Sequence, residues 1–280
     1  MDEENKELVL FNNNQIRRKK YNDEWLYSIV DIIEILTESK NPRDYWYKLK
    51  KRILQEEFPE LSTKCRQLKL KSSDGKEYKT DVANRETIFR IIQSVPSKNA
   101  EPFKQWFAKL AEERILETID PSLAIERAKQ TYLRKGYDEE WTNTRIKSIG
   151  ARTELTNEWK NRGATEKDYA ILTDDISKGT FGVTTKQHKE IKNIDKQNLR
   201  DNMSAMELAL MTLAEVTTTE LHKTNDSNGL GELEVDAKTG GKIAGNTRKN
   251  IEKKLGRPVV TSENANDFRK KKLLKPPTKK

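Results

Sequence analysis

The sequence predicts an α+β N-terminal module of two hairpins with helix-turn-helix-like helices, then a mostly α-helical domain and a disordered basic tail. Three observations carry this. Turn signals at Asn22-Asp23 and Asp74-Gly75 each separate two short runs of strand-type residues. Beyond Pro121 the apolar residues recur almost wholly at helical spacing. From Lys238 to Lys280 there are 14 Lys and Arg against three acids, while the rest of the chain sums to −2 within a total of +9, so the excess charge is concentrated at one end. The expected divisions are residues 1–120, 121–260 and 261–280.

Taken in order, Leu8-Val-Leu-Phe and Gln15 to Tyr21 read as strands, and the polar turn at Asn22-Asp23-Glu24 leads into Trp25-Leu-Tyr-Ser-Ile. Apolar residues at 29, 32, 33 and 36 then predict a short amphipathic helix. Asn41-Pro42 is a strong helix start, because Asn accepts from free amides and Pro at the first position loses no hydrogen bond. The helix it opens should pack through Tyr45, Trp46, Leu49 and Ile53 and turn Arg43, Tyr47, Lys50 and Lys51 the other way. A second hairpin runs from Lys64 to Val82 around Asp74-Gly75. Helices follow over Arg85–Ile92 and Phe103–Ile119, and Asp120-Pro121 ends the module.

In the second half, helices are expected over Ser122–Lys135, from Asp138 to about Arg162, from Thr165, over Thr185–Ile194 and over Leu199–His222. A loop rich in Gly, Asp and Asn should span 225–241, with a last short helix at Lys242–Leu255 and disorder from Thr261.

Hydrophobic residues make up 34% and charged residues 35%, a balance that favours two small cores over one large one. No apolar run approaches the roughly 18 residues a membrane span needs. The acidic start, Met1-Asp-Glu-Glu, is unlike a secretory leader, and Cys65 alone permits no internal disulfide. A cytoplasmic location without membrane contact is expected.

For chemistry, the helix after Asn41 concentrates Arg43, Lys48, Lys50, Lys51 and Arg52, with Tyr47 on the basic side suited to a sugar or base. The hairpin adds Lys64, Arg66, Lys69, Lys71, Lys76 and Lys79 as a possible wing; strand alternation divides Arg66 from Lys69 and Lys71. Trp25, Trp46 and Trp106 read as core. His188 and His222 have no second ligand at metal spacing, Cys65 has no nearby histidine, and Gly240-Gly241 lacks phosphate-loop spacing. No enzyme, cofactor or metal is expected.

The order hairpin, Trp25-Leu-Tyr-Ser-Ile-Val-Asp-Ile-Ile, Asn41-Pro42-Arg43, basic helix, second hairpin and Phe103-Lys-Gln-Trp-Phe resembles the Bro-N domain of baculovirus BRO proteins and phage antirepressors. The likeness covers residues 8–117 and departs at Leu36-Thr-Glu-Ser, where the family often has Leu-Gly-Tyr. Gly163-Ala-Thr-Glu-Lys-Asp-Tyr, Asn198-Leu-Arg-Asp-Asn-Met and Gly240-Gly-x-x-Ala-Gly-Asn-x-Arg resemble the C-terminal region of DNA damage-inducible protein D, over residues 123–260. The resemblances imply a DNA-binding, antirepressor-like regulator linked to phage or to the DNA-damage response. The alternative is a protein–protein inhibitor of a repressor or recombinase filament. The partners implied are DNA, such a repressor or recombinase, and a second copy through Leu199–His222, whose Met and Leu content exceeds what a lone exposed helix needs.

Overall fold

The computed structural model describes residues 16–55, 64–72 and 74–268. The chain forms two compact units that meet at the Ile119–Asp120 bond. The strand expected at Leu8–Phe11 lies outside the described residues.

Unit 1 opens with β1 (Arg18–Tyr21) and β2 (Glu24–Ser28), joined by Asn22 and Asp23 at φ 47° and 61°. Two consecutive left-handed residues make the turn whose twist matches a right-handed hairpin, and Asn and Asp tolerate that conformation. Ser28 ends β2 and caps α1 (Ile29–Thr37) by accepting from Asp31 N–H. Ile29, Ile32, Ile33 and Leu36 are all buried, as the spacing required. The Arg17 backbone N–H and guanidinium both donate to Asp31, tying the start of β1 to α1.

Asn41 caps α2 (Pro42–Gln55) through Asp44 N–H. The hairpin β3 (Arg66–Lys71) and β4 (Glu77–Ala83) follows, with Gly75 in its turn at φ 80°, where a side chain would be strained. α3 (Arg85–Ser94), capped by Asn84, and α4 (Glu101–Ile119) complete the unit. The sheet is antiparallel, in the order β1-β2-β4-β3, and curls into a half-barrel. Leu26, Leu68, Leu70 and Val82 share one face and form a small cluster of their own. The edge strands approach across that side: Lys19 Nζ donates to the Lys69 carbonyl, and the Arg66 guanidinium sits 5.2 Å from the Tyr21 ring centre. Tyr27 and Ala83, on the other face, join α1, α2 and α3 in the main core.

Unit 2 is helical: α5 (Ser122–Arg134), α6 (Glu139–Asn161), α7 (Asp168–Phe181), α8 (Thr185–Ile191), α9 (Ala205–Asn225) and α10 (Gly229–Leu255). Asp138 caps α6 as expected, and Ser204 with Glu207 forms a reciprocal capping box on α9. Three expectations are corrected. The segment 225–241 is largely the first half of α10, not a loop. Its glycines serve helix packing: a Cβ on Gly240 would strike Thr218 Oγ1, and one on Gly245 would strike the Gly179 carbonyl. The helix expected from Thr165 starts at Asp168, whose carboxylate accepts from Thr165 N–H. The chain stays packed beyond Thr261, since Val259 and Ala265 are buried and Asn264 Nδ2 donates to the Lys192 carbonyl. On α9, Leu208, Leu210 and Met211 are buried within the unit, as is Met203 just before the helix, while Met206, Leu213 and Val216 stay exposed.

No described helix is long and apolar enough to cross a membrane.

Candidate nucleic-acid interface

The free flank of α2 and the adjacent strands of the second hairpin enclose a groove lined by Arg43, Trp46, Tyr47, Lys50, Lys51, Gln67, Lys79, Thr80 and Asp81, with Val30 at its side. Helical geometry explains the grouping. Trp46, Leu49 and Ile53 occupy the buried stripe of α2, so Arg43, Tyr47, Lys50 and Lys51, at intervals of three and four, share the flank turned to β4.

Asp81 holds that flank in place. Its carboxylate accepts from Trp46 Nε1 at 2.7 Å, Lys50 Nζ at 3.1 Å and Gln67 Nε2 at 2.9 Å. Burial pushes the Asp81 carboxyl up, but the bonds from Trp46, Gln67 and Lys50 outweigh it and hold the acid ionised below the ordinary range. Among the described residues, the only carboxylate lining the groove is thus satisfied from within the protein. Lys50 is correspondingly a structural cation, whereas Lys51 lies 4.9 Å from the Tyr47 ring centre and Tyr47 is 58% exposed. Arg43 sits 6.0 Å from the Tyr78 ring centre.

The register supplies the rest of the surface. Lys69 pairs with Lys79 and Gln67 with Asp81, so Gln67, Lys69, Lys71, Lys79 and Asp81 share a face of the hairpin. Two lysines directly opposite each other destabilise a sheet unless a counter-charge joins them. Lys71 faces Glu77 across the ladder and is offset by it.

Of the nine residues singled out from sequence, Arg43, Tyr47, Lys50 and Lys51 come together with the Lys69 and Lys71 side of the hairpin. Three do not. Lys48 does not line the groove and forms an ion pair with Asp44 at 2.8 Å. Arg52 donates to the Ser94 carbonyl at the end of α3 at 2.7 Å. Arg66 faces the Leu68 side of the hairpin, over Tyr21. Gln67 and Asp81 join the groove without having been singled out; they alternate with apolar residues in a strand, and only the register reveals their direction. Trp46 is buried and Trp25 half-buried, but Trp106 is 40% exposed, which corrects its placement in the core.

Burial pushes the Cys65 thiol up to about 11, so it stays protonated at neutral pH. His222, Asp236 and Ser227 meet in unit 2, an arrangement with no signal in the sequence. The Trp159 indole donates to His222 Nε2, which leaves Nδ1 to carry the proton and donate to Asp236. Ser227 Oγ donates to the same carboxylate at 2.6 Å. His222 and Ser227 are buried and the imidazole has no free nitrogen, so the group cross-braces α6, α9 and α10. Among the described residues no group of three or more His, Cys, Asp or Glu side chains is placed to hold a metal ion.

Residues 15–117 match the model of the BRO family, N-terminal domain, a module associated with antirepressor-like, DNA-binding regulators. The match ends two residues before unit 1 does and spans every residue of the groove lining. No curated protein matches the chain.

Proposed function

We propose that the protein is a DNA-binding, antirepressor-like regulator that holds duplex DNA against the α2 and β3–β4 face and carries out no catalytic step. The observation that carries the reading is convergence. Arg43, Lys51 and Tyr47 from α2 and the Lys69–Lys79 pair from the hairpin turn to one side, beside a carboxylate already neutralised by its own neighbours. Phosphate contacts from both elements would fix the register of the duplex, and Arg43 at the start of the helix could reach a base edge. A cytoplasmic site of action follows from this role.

The link to phage or to the DNA-damage response, with a repressor or recombinase as protein partner, rests on motif likeness in the second half. It is supported by the association of the Bro-N domain with antirepressors. A reading as a protein–protein inhibitor has its own observation: α4 leaves Trp106, Leu110, Ile115, Leu116 and Ile119 exposed, more apolar surface than a solvated helix needs.

Anisotropy with labelled duplex separates the two. The double substitution Arg43→Ala with Lys51→Ala is expected to weaken duplex binding about tenfold or more and to lower the slope of log K against log salt by about 2. An unchanged slope together with unchanged affinity would transfer the function to the apolar face of α4.

A further inference from the structure

The second half of α10 carries a basic stripe that the described residues neutralise only in part. Between Lys238 and Arg257 there are seven Lys and Arg and one acid, Glu252. Two of the cations are engaged: Lys238 with Glu234 and Asp175, and Arg248 with Glu252 and the Thr180 carbonyl. Lys242, Lys249 and Lys253 are exposed and, among the described residues, have no hydrogen bond or ion pair.

Their order on the helix is regular. Lys242, Asn246, Lys249 and Lys253 follow at intervals of four, three and four residues, so they stack on one face about 4.5 to 6 Å apart along roughly 16 Å of axis. The opposite face is immobilised. Gly240, Gly241 and Gly245 are packed against α7 and α9 so closely that a Cβ on any of them would strike a neighbour. The stripe is therefore a rigid row of cations with one amide donor among them.

We propose that this stripe is a second nucleic-acid surface, which takes the phosphate backbone of duplex DNA without reading its bases. Two features favour a polyanion backbone over an acidic protein. A protein interface needs an apolar or aromatic centre, and positions 242, 246, 249 and 253 carry none. The cations also lie in one row along the helix axis, the arrangement in which each lysine can neutralise one phosphate of a linear backbone. The inference shares the DNA reading given above but rests on residues of the other unit, so either can fail alone.

The test uses the full chain carrying Lys242→Gln, Lys249→Gln and Lys253→Gln together, beside the Arg43→Ala, Lys51→Ala variant. Gln keeps helix propensity at exposed positions, and circular dichroism with a thermal melt checks that the fold is intact. Binding of labelled duplex DNA and of a labelled polyglutamate peptide is followed from about 50 to 200 mM salt. The slope of log K for duplex is expected to fall by about 2 to 3 in the triple variant, independently of the change in the Arg43, Lys51 variant. A wild-type slope in the triple variant would overturn the proposal while leaving unit 1's role standing. A loss of polyglutamate binding with duplex binding unchanged would overturn it in favour of an acidic protein partner. A loss of slope only in the triple variant would support the stripe and remove the groove.

Discussion

At the scale of single residues, Asp81, part-buried, and His222, buried, have the same form: a titratable group whose state is set by named partners. Asp81 determines which cations of α2 are free, because it claims Lys50 and leaves Arg43 and Lys51 to face solvent. His222 has the opposite sensitivity. Burial lowers its pKa, against the raising effect of Asp236. In the unfolded chain the imidazole takes up a proton near its ordinary value of about 6.5, while the folded protein resists. The contribution of neutral His222 is thus complete above that value and is lost as pH falls toward the lowered folded value. The melting temperature of unit 2 is expected to hold steady above pH 7 and to decline between pH 6.5 and 5. His222→Gln should start lower and flatten that decline. Parallel curves for the two proteins would show that His222 is not the group responsible. Nothing in the sequence indicated this network, because Trp159, His222, Ser227 and Asp236 are brought together only by the packing of three helices.

At the scale of elements, capping chemistry and hydrophobic period made most of unit 1 legible. Asn41-Pro42 opens the helix its side chain suggested, and Asn22-Asp23 makes the hairpin turn; the caps by Ser28 and Asn84 show only in the fold. Composition misled where glycines have a packing role. Gly240 and Gly241 read as the end of a loop because glycine is a poor helix former. In the folded chain they are the positions at which α10 touches α7 and α9. The substitution Gly240→Ala distinguishes these roles by its sign. On propensity alone, alanine would stabilise the helix by about 1 kcal/mol. The new methyl group meets Thr218 Oγ1 and backbone, and overpacking of this kind costs about 1 to 3 kcal/mol. A lower melting temperature is expected, by a few degrees at most. A higher one would mean that α9 and α10 can separate at no cost. The direction of a hairpin lysine was legible in the same partial way: alternation divided Arg66 from Lys69 and Lys71, but the Lys69–Lys79 pairing needed the register.

At the scale of the whole molecule, the charge excess that the sequence placed near the C-terminus has two origins. Part of it lies beyond residue 268, outside the described residues, and part is the ordered stripe of α10. Unit 1, nearly neutral in its surroundings but basic from Lys40 to Lys79, supplies a second positive surface. The chain thus presents cations from two folded units, and a duplex contact by each would add their salt dependences.

Lysine-reactive footprinting of the full chain with and without duplex DNA tests the central claim most directly. Lys48 is paired with Asp44 and does not line the groove, so it is an internal control for Lys51. DNA is expected to protect Lys51, Lys69 and Lys79 severalfold and to leave Lys48 as reactive as in the free protein. Protection of Lys48 equal to that of Lys51, or none at either, would contradict the assignment of the α2 and β3–β4 face as the DNA-binding surface.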